Sequence, residues 1–297
     1  MKYDISKVVE GQHFEVIGMS YIGAPKSNTA MFITKKVEHL LNALTSVEHC
    51  LVFAENGITV SEELKAKHAF YFSDKPQLAY ARFANEFAEE RFAEEKKLKW
   101  IKGDSGYYYT EDVTIPEDAY IEPGCVIGPD VQIGRNARIL SGSVIRYTSI
   151  GDNFLSNQYA VIGANGFTMA EDENGDKLRI PTLGRVIIGN EVEVGAHDNI
   201  SCGSGGNTVI EDKVKIDALV HIGHDVWLHR NAEITAGGII GGFDNLGEHA
   251  YVGINAVLRN RINVGDNAVI GMGSTVTKSV DADVTVAGNP ARLLVKK

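Results

Sequence analysis

Cysteine is scarce: Cys50, Cys125 and Cys202 are the only three, scattered and odd in number. Such a set forms no disulfide framework and fits a reducing compartment. Basic side chains are outnumbered, with 29 Lys and Arg against 39 Asp and Glu and a formal net charge of −10, which argues against a nucleic-acid binder. No apolar run approaches the roughly 20 residues that cross a bilayer, so no membrane span is expected. The opening Met1-Lys2-Tyr3-Asp4-Ile5 lacks the pattern of a signal peptide. These shortages together point to a cytoplasmic protein. Chain length is not short: 297 residues bury about three quarters of their unfolded surface without staples, and two domains are a natural prior.

Glycine, by contrast, is abundant, with 31 residues. A period explains them. From Ile210 every sixth residue is aliphatic: Ile216, Ile222, Leu228, Ile234, Ile240, Leu246, Val252, Leu258, Val264, Ile270 and Val276 follow without a miss. The residue two before each is mostly small or β-branched, as in Val220, Val226, Ala232, Ala250, Ala256 and Ala268, and the residue after is often Gly. A helix needs a period of 3.6 and a strand a period of 2. A period of six fits short strands and tight turns coiled into a parallel β-helix, each strand sending one aliphatic residue inward.

Residues 1 to about 102 lack this period and read as a small α/β domain. Val37, Leu40, Leu41 and Leu44 are spaced as one helix face. His49–Phe53 and Ala69–Phe72 read as buried strands. Ser73 or Asp74 caps a long helix with Pro76 in its first turn and Tyr80, Phe83, Ala84 and Phe87 as its apolar face. Hexads begin at Ile115, slip by one residue at Ile150, and stop after Ile162. Residues 163–184 break the pattern; a solenoid ejects such an insertion as a loop, often on its binding face. The period resumes at Ile188. The β-helix domain thus spans 103–297.

Hexapeptide repeats of this kind resemble the left-handed β-helix acyltransferases. Within that superfamily, Ile162-Gly163-Ala164-Asn165-Gly166-Phe167, Ile180-Pro181-Thr182-Leu183-Gly184-Arg185, Lys215-Ile216-Asp217 and His221-Ile222-Gly223-His224 are similar to segments of the UDP-3-O-acylglucosamine N-acyltransferase family of lipid A synthesis. Met31-Phe32-Ile33 and Pro76-Gln77-Leu78-Ala79-Tyr80-Ala81 extend the resemblance into the N-terminal domain. It implies a mainly β, left-handed parallel β-helix, a homotrimer, and acyl transfer from a coenzyme A or acyl-carrier-protein thioester to the amine of a nucleotide-linked amino sugar. No permanently bound cofactor and no metal are implied. His224 matches the family's general base, and Gly242, eighteen residues on and one coil above, matches its oxyanion glycine. A nucleophile attacking a thioester must shed a proton, which a neutral imidazole accepts, and the oxyanion then needs an N–H donor. Phe32, Asn165, Gly166 and Phe167 fall at substrate-binding places. A lone histidine on a turn is ordinarily a surface residue; that is how His197, His221, His229 and His249 read.

Several places depart from the family. Its second active-site histidine is replaced by Arg261, read here as substrate-binding. An asparagine and a tyrosine that follow the uracil-stacking phenylalanine are replaced by Lys35 and Glu38. The family's helical extension after the β-helix is missing, and the ending Gly288-Asn289-Pro290-Ala291-Arg292 is similar to that of coenzyme A-dependent sugar acetyltransferases. A short-chain acyl-CoA donor, with Arg292 reaching a phosphate and nitrogen or oxygen as acceptor, is therefore the alternative. Two other classes remain open. His224 and His229 have the His-x4-His spacing of zinc-dependent γ-class carbonic anhydrases, although position 188, where a third ligand would be expected, is Ile. A non-catalytic scaffold is the other; it would need neither the insertion nor His224.

Overall fold

The computed structural model describes residues 2–294, and the chain divides into two compact units. One comprises residues up to Lys96 with Phe167–Gly184 and Ser204–Gly206; the other comprises Lys97–Gly166, Arg185–Gly203 and the chain from Asn207 on.

The first unit is built on a four-stranded parallel sheet in the order Gly18–Met19, Thr29–Ile33, Leu51–Glu55, Ala69–Ser73. Leu51, Val52, Phe53 and Ala54 are all buried, as expected of a strand covered on both faces. The helix Pro76–Glu95 lays Tyr80, Phe83, Ala84 and Phe87 on the sheet, with the Phe83 ring 5.6 Å from Phe53. Its cap differs from expectation. Lys75 occupies the N-cap without a side-chain bond, because the Ser73 hydroxyl accepts from the Lys75 N–H and Asp74 accepts from the Asn56 amide. The segment Lys35–Ser46 is also not one regular helix: it is a 3-10 run broken at Val37, and only Leu41 and Leu44 are buried. The insertion is a hairpin, Thr168–Glu171 against Lys177–Ile180. Its Ala170 and Ile180 join the apolar cluster of Tyr80, Phe83 and Ala84, which is why it belongs to this unit.

The second unit is the solenoid, a left-handed β-helix. Among the described residues its strands, parallel except for Trp100–Lys102 on Tyr108–Thr110 and Arg292–Leu293 on Thr285–Ala287, stack into three sheets of ten, seven and ten strands, called here the first, second and third faces in the order the chain visits them. His221–Ile222 lies on the first, Trp227–Leu228 on the second and Glu233–Ile234 on the third. The hexad aliphatics fill the interior; Ile200, Ile210, Ile222, Leu228, Ile234 and Ile240 are each 0% exposed. Each such burial stabilises the fold by about 1.5–3 kcal/mol. The one-residue slip is real: Ile150 pairs with Ile133, seventeen residues away, without leaving the ladder.

Three corners join the faces, each with a left-handed residue. At the second corner this residue is commonly Asn or Asp, as in Asn136, Asn153, Asn231, Asn267 and Asp283, side chains that tolerate positive φ. The first corner places Asp130, Tyr147, Asp225, Phe243 and Arg261 there; residues other than Asn and Asp also hold that backbone at the second corner, as Glu191 and Lys213 do, and at the third, as Tyr159 and Leu219 do, at about 1–2 kcal/mol each. Both departures of the chain from the solenoid leave from the first corner, between Val161–Ala164 and Val186–Ile188 and between Asn199–Ser201 and Thr208–Ile210. The first corner also carries His224.

Candidate active site

His224 and Gly242 occupy the same turn position in successive coils. Each follows a buried first-face strand, His221–Ile222 and Ile239–Ile240, paired in register. The Phe243 N–H donates to the His224 carbonyl at 2.9 Å, and the Arg261 N–H donates to the Gly242 carbonyl at 3.0 Å. Three levels of the corner are thereby locked together: His224, then Gly242 and Phe243, then Arg261.

The imidazole is partly enclosed, its side chain 15% exposed. Its Nδ1 lies 2.8 Å from Asp225 Oδ2, and the Asp225 side chain is 2% exposed. Asp225 itself is anchored, its N–H donating to the buried Thr208 hydroxyl at 3.0 Å. With Nδ1–H committed to the carboxylate, the neutral ring presents the Nε2 lone pair as base. Phe243 walls the ring edge-on, with centroids 5.1 Å apart at 86°. Arg261 stacks its guanidinium over Phe243, 4.1 Å from the centroid.

Nε2 points at Gly242. A Cβ on Gly242 would lie 2.9 Å from Nε2 and 3.0 Å from Cε1, so a side chain there would displace the ring. The Gly242 amide is also set apart. At the equivalent position of other turns the N–H is capped by an acid from the adjoining coil: Arg230 by Glu211, Ala236 by Asp217, Glu248 by Asp266. Among the described residues the Gly242 N–H has no such partner. An imidazole nitrogen and an uncommitted amide thus lie side by side, the two kinds of group that acyl transfer through a tetrahedral intermediate uses.

The other sequence-level candidates are dispersed. Phe32 belongs to the first unit, half-buried with its ring 5.3 Å from Tyr80. Nearby, the Lys35 N–H donates to Glu55 and Glu38 accepts from the Thr59 N–H. Asn165 is exposed and Gly166 buried where the solenoid is interrupted. Phe167 opens the first unit's hairpin, 79% exposed under the Arg179 guanidinium. Arg292 sits on a C-terminal hairpin strand pairing with Thr285–Ala287, beside a groove of about 320 Å³ shared with Lys278 and Asp281. His229 stands at the second corner, bonded to Asn245 and Glu211; it and His224 lie at opposite ends of the second face, and Ile188 is buried. The His-x4-His spacing therefore brings no pair of ligands together. His221 lies outward on the first face, where burial and the nearby His224 push its pKa down. Asp225 and Thr208 escaped the sequence reading, although an acid directly after the candidate base was a visible signal.

The family described as "Bacterial transferase hexapeptide (six repeats)" matches residues 112–146. The UDP-3-O-acylglucosamine N-acyltransferase of Cupriavidus pinatubonensis (strain JMP 134 / LMG 1197) is 26% identical over 302 residues, covering 93% of this chain and 81% of that protein. Its namesake from Caulobacter sp. (strain K31) is 37% identical over 152 residues, 51% of this chain and 44% of that one. The Coxiella burnetii (strain RSA 493 / Nine Mile phase I) protein is 40% identical over 134 residues, 45% and 39% of the two. The chain thus spans less than half the length of these last two relatives. Among solved structures, the UDP-N-acetylglucosamine acyltransferase from Campylobacter jejuni aligns with a TM-score of 0.57 at 24% identity, over 65% of this chain and 74% of that one. The UDP-N-acetylglucosamine O-acyltransferase from Moraxella catarrhalis RH4 aligns at 0.58 and 24%, over 65% and 73%. At that identity the likeness speaks for the fold alone. Solenoid, repeat and relatives together define an acyltransferase of the hexapeptide-repeat class. Within that class, the relatives it resembles are named UDP-3-O-acylglucosamine N-acyltransferase.

Proposed function

We propose that this enzyme transfers an acyl group from a thioester to the amine of a nucleotide-linked amino sugar, in lipid A or envelope polysaccharide synthesis. The observation that carries the reading is the His224 Nε2 facing the uncommitted Gly242 amide, with Asp225 fixing the ring from behind. The amine nitrogen attacks the thioester carbonyl while Nε2 takes its proton. The carbonyl oxygen becomes an oxyanion facing the Gly242 N–H. Collapse breaks the C–S bond, and the imidazolium returns the proton to the departing sulfur. The names of the relatives support the nucleotide sugar as acceptor.

For the donor, we favour a coenzyme A thioester. The Arg261 guanidinium meets the Phe243 ring and no carboxylate among the described residues. Arg292 and Lys278 border the groove near the solenoid's C-terminal end. Guanidinium groups suit phosphate geometry, and Arg261, stacked on Phe243 with no carboxylate partner among the described residues, suits an anionic donor. A homotrimer completes the proposal. The outward column of the first face runs Val126, Val144, Val161, Asn199, His221, Ile239, Val257 and Thr275, β-branched but for Asn199 and His221, with Ile239 37% and Val257 40% exposed. The third face's column carries more charge, with Arg138, Glu193, Lys215 and Glu233 among Tyr120, Leu155, Tyr251 and Val269. His224 borders the apolar face, where a neighbouring copy would close its cleft. Incubation with a panel of nucleotide amino sugars and acyl-CoA or acyl-carrier-protein donors, read by mass, tests the whole reading. An N-acylated nucleotide sugar formed fastest from acyl-CoA is expected. Absence of acyl transfer from every donor would overturn the function, and a large preference for acyl carrier protein would overturn the donor.

A further inference from the structure

The inward position two residues before each hexad aliphatic is apolar or a small neutral residue, such as Ser143, Thr208 or Ser274, yet Asp244 occupies it before Leu246 and Asp198 before Ile200. Both side chains are interior, each residue 1% exposed. A carboxylate in such a place is costly unless its oxygens are bonded. Asp244 Oδ2 accepts from the Gly241 N–H at 3.0 Å, and Oδ1 from the Ile262 N–H at 2.8 Å. These bonds replace ordinary ones. At comparable turns the first N–H donates upward to the next coil: Gly223 to the Ile240 carbonyl at 2.9 Å, Gly247 to Val264 at 2.8 Å, Gly253 to Ile270 at 2.8 Å. At Asp244 the Gly241 amide is withdrawn from the ladder and held by the turn's own carboxylate. The Gly241 carbonyl in turn accepts from the Asp244 N–H at 3.3 Å. That backbone bond recurs at other turns, as from Ala250 to Gly247; what the Asp244 side chain adds is a grip from inside the solenoid on the peptide leading into Gly241, the one next before the Gly242 N–H. The Ile262 bond fixes the next turn up, which carries Arg261.

We infer that Asp244 is a positioning residue, whose buried carboxylate aims the Gly242 N–H at the substrate carbonyl and steadies Arg261 above it. This inference rests on the acyltransferase reading of the His224 corner. Asp198 provides an internal control. It makes the same pair of bonds, from the Gly195 N–H at 2.8 Å and the Val220 N–H at 2.8 Å, but at the third corner, next to the left-handed His197 and away from His224.

Asparagine at either place keeps one accepting oxygen and turns an NH2 toward the second amide, breaking one bond of the pair. Asp244→Asn and Asp198→Asn are therefore expected to lower the melting temperature alike. Only Asp244→Asn should lower kcat, by tenfold or more, with the acceptor KM within about twofold of wild type. Asp244→Ala, which restores the residue found at positions 232, 250 and 256, is the variant to use if the asparagine form does not fold, and it should show the same kcat loss. The Gly242 amide resonance in 15N-glycine-labelled protein gives a readout independent of turnover: it should shift in Asp244→Asn and stay in place in Asp198→Asn. Equal kcat losses in the two asparagine variants, or an unshifted Gly242 resonance in Asp244→Asn, would overturn the assignment. An inactive wild type would instead sink the acyltransferase reading and leave the resonance to decide the role of Asp244.

Discussion

The Nε2 of His224 comes within 2.9 Å of the point where a side chain on Gly242 would begin. That closeness explains a glycine on a turn whose backbone has no need of one, since Gly242 does not adopt positive φ. A methyl group there must push the imidazole aside. Gly242→Ala should therefore cost about 10²-fold in kcat, the scale of a base displaced by an ångström, with little change in melting temperature because the turn lies outside the core. Steady-state kinetics and a thermal melt check both halves; an alanine variant with wild-type kcat would mean that the ring is not used where it stands.

Asp225 makes a second expectation. Its carboxylate holds Nδ1–H at 2.8 Å, so an amide in its place can donate instead and reverse the tautomer, protonating Nε2. Asp225→Asn should lower kcat by at least about tenfold, a smaller loss than the roughly 10²–10⁴ of removing the base itself, while acceptor binding changes little. A variant with unchanged kcat would show that the tautomer is set without Asp225.

The interior carboxylates predict an inverted pH dependence. Burial pushes the Asp198 and Asp244 carboxyls up to about 7, even though the backbone amides bonded to each pull the other way. An unfolded aspartate titrates near 3.9. Between about pH 4 and pH 7 the folded chain therefore binds more protons than the unfolded one at these two places, and their contribution to stability falls as pH rises through that window. Groups elsewhere add their own slopes, so the comparison is between proteins. The melting temperature of wild type, taken at pH 5 minus that at pH 7.5, should exceed the same difference in the Asp198→Asn variant. Equal differences would mean that Asp198 ionises alike in both states.

Much of this fold was legible because one rule repeats. The hexad aliphatics from Ile210 to Val276 had only one place to go, and the break at 163–184 had to leave the coil. His224 and Gly242 could be paired because eighteen residues make one coil. Hydrogen bonds that cross coils were harder to see. Thr208 reaches Asp225 seventeen residues on, at a spacing shared by many pairs that never touch. Asp198 and Asp244 broke the inward uncharged series in plain view, but charge at an interior slot has meaning only once the turn amides it meets are known. The cap at Lys75 was misread because Ser73 and Asp74, both good capping residues, were occupied by other donors.

Assembly offers a further check. The largely β-branched first face predicts light scattering at three times the chain mass of 32.3 kDa. Val257→Glu, which sets a charge amid that column, should dissociate the particle and lower activity together, since burying an unpaired charge is strongly unfavourable. A stable and fully active monomer would contradict the shared-cleft account.

The most direct test of the central claim is the turnover number of His224→Ala on the donor and acceptor that give product with the wild type. His224 lies on an outer turn, while Val220 and Ile222 fill the interior beside it, so truncation leaves the core intact. The account predicts a folded protein that still binds acceptor and has lost about 10²–10⁴ in kcat. Activity above about a tenth of wild type would lie outside any general-base effect of that size and would show that His224 is not the base.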